Sequence, residues 1–198
     1  SRSGFFGSVT DSDTESDTSS NGTTSFDDDA IDDADTSKAP PPVAIGGRAF
    51  ATAVGAVALG ARVRAVAPHA FAAGARSLAS GNFSLALGSG FGVDGGATAA
   101  GDSSIAIGRR SVSSAAFATA IGAFSSSTGT NATAIGTDSN AYGNNSIAIG
   151  RNAVANSPGG VAVGTDAFVS QNASGAFAFP GATAAEPHSV VAVGRIFA

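Results

Sequence analysis

The 198-residue sequence has no cysteine, no methionine and no tryptophan, a single tyrosine, and charged residues at only 13% of its positions. Without cysteine there is no disulfide framework and no thiolate metal site. Long hydrophobic runs are missing too. No window of about 18 residues is both apolar and uncharged, and the best stretch, 43–60, is interrupted by Arg48 and several glycines, so no membrane-spanning helix is expected. A chain that starts at Ser1 and holds no methionine is expected to be a processed product or a piece of something longer. What the sequence does hold is 27 glycines among many alanines and serines. That composition speaks against an ordinary mixed globular domain and for a repetitive, small-residue architecture.

Charge divides the chain in two. Residues 1–42 carry ten carboxylates against Arg2 and Lys38, a net of −8, whereas residues 43–198 carry eight arginines against five carboxylates, a net of +3. The first segment mixes Ser, Thr, Asp and Gly with few large apolar side chains, so it cannot bury enough surface to offset the entropy of ordering and is expected to be disordered. Asp27, Asp28 and Asp29 are consecutive, without the alternating spacing and the glycine of a calcium loop. Pro40, Pro41 and Pro42 make a stiff extended boundary. Two regions follow: an acidic segment with a proline linker over 1–42, and a repeat region over 43–198.

The repeat region is defined by the tetrapeptide apolar-Ala-apolar-Gly, as in Val43-Ala44-Ile45-Gly46, Val57-Ala58-Leu59-Gly60, Leu85-Ala86-Leu87-Gly88, Ile105-Ala106-Ile107-Gly108 and Ile147-Ala148-Ile149-Gly150. Successive glycine slots are 14, 14, 14, 20, 14, 14, 14, 14, 16 and 14 residues apart. The central alanine occurs in eleven of eleven copies, and the last position is glycine in all but one, where Pro180 stands. A fixed period of this kind marks a solenoid, and its two irregular units, near 89–96 and 170–174, are expected to loop out.

Each tetrapeptide alternates large-small-large, the period of a strand, and the glycine permits a turn. A second alternating stretch follows about three residues later, as in Ser77-Leu78-Ala79, Ser111-Val112-Ser113 and Ala153-Val154-Ala155. Each 14-residue unit therefore reads as one coil of a two-sheet β-solenoid. Side chains alternate across a strand. A coil this short has room inside only for the alanine and its Ser/Ala counterparts. Its large residues are then expected on the outside: Ile45, Leu59, Leu87, the pairs Ile105/Ile107, Ile147/Ile149, Val161/Val163, Phe177/Phe179 and Val191/Val193, and the single isoleucines Ile121 and Ile135. At roughly 1.5–3 kcal/mol for each buried large apolar side chain, about twenty such positions amount to tens of kcal/mol left in water by a monomer. A stripe of that size marks an association surface. Alternation alone leaves open the inverse packing, with Ile and Val inside, which would permit a monomer.

The stretch Asn144-Asn145-Ser146-Ile147-Ala148-Ile149-Gly150-Arg151-Asn152-Ala153-Val154-Ala155 resembles the head repeat of YadA-like trimeric autotransporter adhesins, as does Asn131-Ala132-Thr133-Ala134-Ile135-Gly136-Thr137-Asp138-Ser139-Asn140-Ala141-Tyr142-Gly143. The resemblance covers about residues 43–198. It implies an all-β fold, a left-handed parallel β-roll of about eleven coils, with three rolls associating through their apolar faces as a homotrimer. It further implies a non-catalytic adhesin head on the bacterial cell surface, held at the outer membrane by a C-terminal anchor not seen in this sequence, with host extracellular-matrix or cell-surface molecules as partners. The phenylalanine unit Phe71-Ala72-Ala73, Pro180 and the 20-residue unit depart from the pattern. The first copies also lack the Asn-Ser that precedes the strand in this family.

Chemistry is otherwise sparse. His69 and His188 lie in turns before repeat strands, six copies apart, and do not form a clustered metal site. The run Gly88-Ser89-Gly90-Phe91-Gly92-Val93 lacks the helix and lysine of a phosphate-binding loop. No cofactor and no nucleic acid are expected, and the repeat region's positive charge reads as a solubility feature. A left-handed β-helix acyltransferase would repeat as hexapeptides, and an ice-binding solenoid would need a regular threonine array. A structural spacer is the remaining alternative. A ligand site, if carried by the second strands, is expected at outward positions such as Arg64, Ser126, Thr128, Asn156 and above all Asn140 and Tyr142.

Overall fold

The computed structural model describes residues 39–90, 95–173, 175, 177–187 and 190–191. The acidic segment expected to be disordered therefore lies, up to residue 38, outside the described residues. Within them the chain is an all-β parallel solenoid of two sheets, one of eleven strands and one of ten. Each coil contributes a short strand to the first sheet, turns, contributes a two-residue strand to the second, and turns again, so strand neighbours in space are every other strand in sequence. Consecutive coils stack in register. Thr133, Ala134 and Ile135 pair with Ile147, Ala148 and Ile149, and these pair with Val161, Ala162 and Val163. The period of 14 is thus the number of residues that brings a like residue over a like residue.

The first length irregularity is absorbed as expected. Leu85–Leu87 pairs with Ile105–Ile107 and Leu78–Ala79 with Thr98–Ala99, so the six extra residues fall between Leu87 and Thr98 and leave both ladders intact. Of that insertion, residues 91–94 lie outside the described residues.

The interior is made of small side chains. Ala58, Ala72, Ala86, Ala106, Ala120, Ala134, Ala148 and Ala162 are fully buried, and opposite them lie buried Ser111, Ser113, Ser125, Ser127, Ala153 and Ala155. Larger residues enter twice, as Val63 and Val169. Val169 fits because its neighbour is Gly160, where an added Cβ would stand 2.9 Å from the valine Cγ1. The buried hydroxyls take up backbone acceptors: Ser125 and Ser139 donate to the glycine carbonyls three residues earlier at 2.9 and 3.0 Å, while Ser113 and Ser127 donate across the roll to Ala118 and Ala132 at 2.7 and 2.9 Å. Such pairing is what a buried hydroxyl requires.

The turns depend on left-handed backbone. The repeat glycine adopts φ of +128° at Gly136 and +133° at Gly150, where an added Cβ would also sit 2.6 and 2.4 Å from the carbonyl oxygen of the next coil's glycine. Two residues further on, a non-glycine takes φ near +60°: Arg48, Arg62, Arg76, Arg110, Phe124, Asp138, Asn152 and Asp166. The other turn has a matching slot two residues before the first strand, held by His69, Phe83, Ser103, Phe117, Asn131 and Asn145. The Asn residues of the head-repeat motif suit these slots because Asn tolerates left-handed backbone.

Pro180 overturns part of the expected frame. Proline cannot adopt the positive φ of the glycine slot, and the turn is rebuilt one residue shorter around Gly181, φ +66°. Phe168 then pairs with Thr183, and Phe177 with Val190 instead of Val191. Val191 accordingly stands in register with Ala178, where the 14-residue period would have set it beside Phe177. Val193 and His188 lie outside the described residues.

Candidate functional site

Two outer surfaces follow from the inward alanines. On the eleven-stranded sheet, residues flanking each alanine stack into two adjacent apolar rows. Ile45, Ile147 and Ile149 are 45, 36 and 38% exposed, and Leu59, Leu87, Ile105, Ile107, Ile121, Val161 and Val163 are half-buried between the coils above and below. The rings of Phe177 and Phe179 meet at 4.8 Å, continuing the rows on the same side. Each row is in register through the strand pairs, as in Thr119, Thr133, Ile147 and Val161 for one and Ile121, Ile135, Ile149 and Val163 for the other. Threonine at two positions narrows the stripe without breaking it.

The ten-stranded sheet presents a different face. Its outward row runs Phe50, Arg64, Leu78, Thr98, Val112, Ser126, Asn140, Val154, Phe168 and Thr183, with no residue class maintained. Asn140 and Tyr142 lie two apart on this face. Asn140 is half-buried and its Nδ2 donates to the Asp138 carbonyl at 2.9 Å, while Tyr142 is 46% exposed. A shallow hollow beside them in the stack is lined by Thr98, Arg110, Val112, Phe124 and Ser126, with Arg109 over the Phe124 ring at 4.3 Å.

The turn edges carry signals that composition and alternation did not bring out. His69 and Phe83, one coil apart in the same slot, stack at 4.9 Å with a 9° interplanar angle. His69 is exposed there, in the turn where it was expected. Asn side chains tie turn to turn: the Asn144 Oδ1 accepts from the Thr130 N–H at 3.0 Å, and Asn152 donates to Asp166 at 2.9 Å. On the opposite edge an arginine stands two residues after the glycine slot in four of the first five coils, at Arg48, Arg62, Arg76 and Arg110. The recurring Gly-x-Arg was the readable sign of it. Among the described residues there is no group of three His, Cys, Asp or Glu that could hold a metal, and no helix long and apolar enough to cross a membrane.

No curated protein sequence matches the chain. Among solved structures, the collagen-binding domain of the Yersinia adhesin YadA shares the fold, with a TM-score of 0.53 and 23% identity over 79% of this chain and 83% of that one. The model of the YadA head domain repeat matches residues 43–62, 65–90, 96–125, 127–153 and 141–167. With more than half of its length in that match, and with the repeat glycine, the inward alanine and the left-handed Asn turns each explained by the coil they build, this chain belongs to the YadA head domain repeat family.

Proposed function

We propose that the chain is the head of a non-catalytic adhesin displayed at the bacterial outer membrane, active as a homotrimer, and attaching cells to host extracellular matrix or host cell surfaces. The observation that carries this reading is the apolar stripe on the outside of the roll. Inward positions are filled by alanine and serine, so the isoleucines and valines of the first sheet have no partner within their own coil. Coils about 4.8 Å apart make the stripe roughly 50 Å long, a length suited to an obligate interface. Cyclic association would set equivalent coils at equal height, apolar row against apolar row. The matched solved structure is that of a collagen-binding adhesin domain, which supports matrix molecules as the partner class.

Light scattering is expected to give a mass three times the chain's 18.9 kDa. Surfaces coated with collagen, fibronectin or laminin are expected to retain the trimer. The ligand face is the ten-stranded sheet, with Asn140 and Tyr142 its contact residues. Replacing both by alanine should lower retention at least about tenfold, the loss of one well-placed contact group, and leave the mass unchanged. Full retention by the double variant would move the ligand site elsewhere, and a monomeric mass would remove the trimer.

A further inference from the structure

We infer that the turn edge of the first coils is a binding site for a sulfated polysaccharide. Arg48, Arg62 and Arg76 occupy the same left-handed slot in three successive coils, with φ of 60°, 58° and 62°. Their backbones are locked coil to coil: the Arg62 N–H donates to the Gly47 carbonyl at 2.9 Å and the Arg76 N–H to the Ala61 carbonyl at 3.0 Å. Arg64 adds a fourth guanidinium on the adjoining strand. Arg48, Arg62 and Arg64 are exposed and Arg76 is half-buried. Among the described residues none of the four guanidinium groups has an ion-pair or hydrogen-bond partner. Residues 39–90 contain no aspartate and no glutamate, so nothing on these coils neutralises them. Further along the stack the same slot changes to Asp138, Asn152 and Asp166, and Arg151 lies 3.8 Å from Asp166. The charge is thus concentrated at one end.

Three like charges in a row about one coil apart, with a fourth beside the middle one, repel one another, and a polyanion along the row relieves that repulsion. Guanidinium suits the site because its planar fork binds oxoanions through two hydrogen bonds at once. A linear sulfated polysaccharide carries anionic groups at every sugar and needs no base recognition. Single-stranded nucleic acid relies on a run of aromatic side chains for base stacking, and the strands flanking this row offer only Phe50 and Phe71, which stand on opposite sheets two coils apart. The choice of a polysaccharide rests on the cell-surface reading above. A homotrimer would multiply the charge without compensating it, since symmetry places the same carboxylate-free coils at the same height.

The test uses the full chain on immobilised heparin, with the acidic residues 1–42 present as natural competitors, and a variant carrying Arg48→Asn, Arg62→Asn and Arg76→Asn. Asparagine already fills this slot at Asn152 with φ 56°, so the variant removes charge and keeps the turn. The wild-type chain is expected to bind heparin with a salt dependence whose log-log slope falls by about three in the variant, roughly one for each lost cation as in phosphate binding. Desulfated heparin should compete poorly, and a single-stranded oligonucleotide less well than heparin. Equal binding by variant and wild type, or no binding by wild type, overturns the site. An oligonucleotide that competes as well as heparin overturns the polysaccharide. Adhesion of the same variant to matrix proteins is measured alongside and is expected to be unchanged; its absence from wild type too would sink the adhesin proposal and leave the heparin result standing.

Discussion

Ser84 and Ser146 hold buried hydroxyls with no partner, in a slot that Ala118 and Ala132 fill in other coils. A buried hydroxyl without a hydrogen bond costs about 1–3 kcal/mol. Ser146→Ala is therefore expected to leave stability unchanged or raise it by about 1 kcal/mol. Ser127, whose Oγ donates to the Ala132 carbonyl at 2.9 Å, should behave oppositely, and Ser127→Ala is expected to cost about 1 kcal/mol. Urea unfolding midpoints decide it: shifts of the same sign and size would mean that partners do not govern these serines. Glycine is more restricted still. Gly136 combines a φ of +128° with a position where Cβ would lie 2.6 Å from the Gly150 carbonyl oxygen. Backbone strain and overpacking act together there, and Gly136→Ala is expected to cost at least about 3 kcal/mol.

Within a strand the decisive property is which face is inward, and Ala148 and Ile149 are adjacent residues on opposite faces. Ala148 is fully buried between coils whose own inward residues are Ala134 and Ala162, so Ala148→Leu has no space to enter and is expected to unfold the roll. Ile149→Leu, on the outer row, is expected to change stability by less than about 1.5 kcal/mol. Circular dichroism melts of the pair distinguish the faces, and the reverse ranking would invert the packing. Much of this was legible in the sequence because stacking in register forces every coil to repeat its constraints: an alanine kept in eleven copies declares a slot with no room for more. The change of frame at Pro180 was not legible. A proline in the glycine slot reads as a substitution, whereas the chain responds by shortening the turn and pairing Val190 with Phe177. The left-handed turn slots were hidden for a different reason. Arginine and phenylalanine seldom adopt positive φ, so Phe83, Phe117 and Arg62 do not announce a turn conformation that is imposed by the hydrogen bonds between coils. As for the candidate site, alternation predicted outward Asn140 and Tyr142, and only the stacking of coils aligned the arginines.

For the molecule as a whole, an interior of alanine and serine buries little apolar surface per residue, while the large aliphatic side chains are outside. Stability of an isolated roll must then come mainly from its parallel backbone ladders, and association would supply the rest by covering the stripe. Binding that stabilises only the folded state raises apparent stability with concentration. The unfolding midpoint of this chain is accordingly expected to rise as protein concentration is raised. Ile147→Asp with Ile149→Asp would set carboxylates at the middle of the stripe, each a buried, unpaired charge in the assembly yet only a surface substitution on a free roll. The double variant is expected to have the mass of a single chain, to retain its β circular dichroism at low temperature, and to unfold at a midpoint independent of concentration. Should it instead keep a trimer's mass, the aliphatic rows of the eleven-stranded sheet are not what joins the subunits. A wild-type midpoint that ignores concentration would show that the roll is stable without its neighbours.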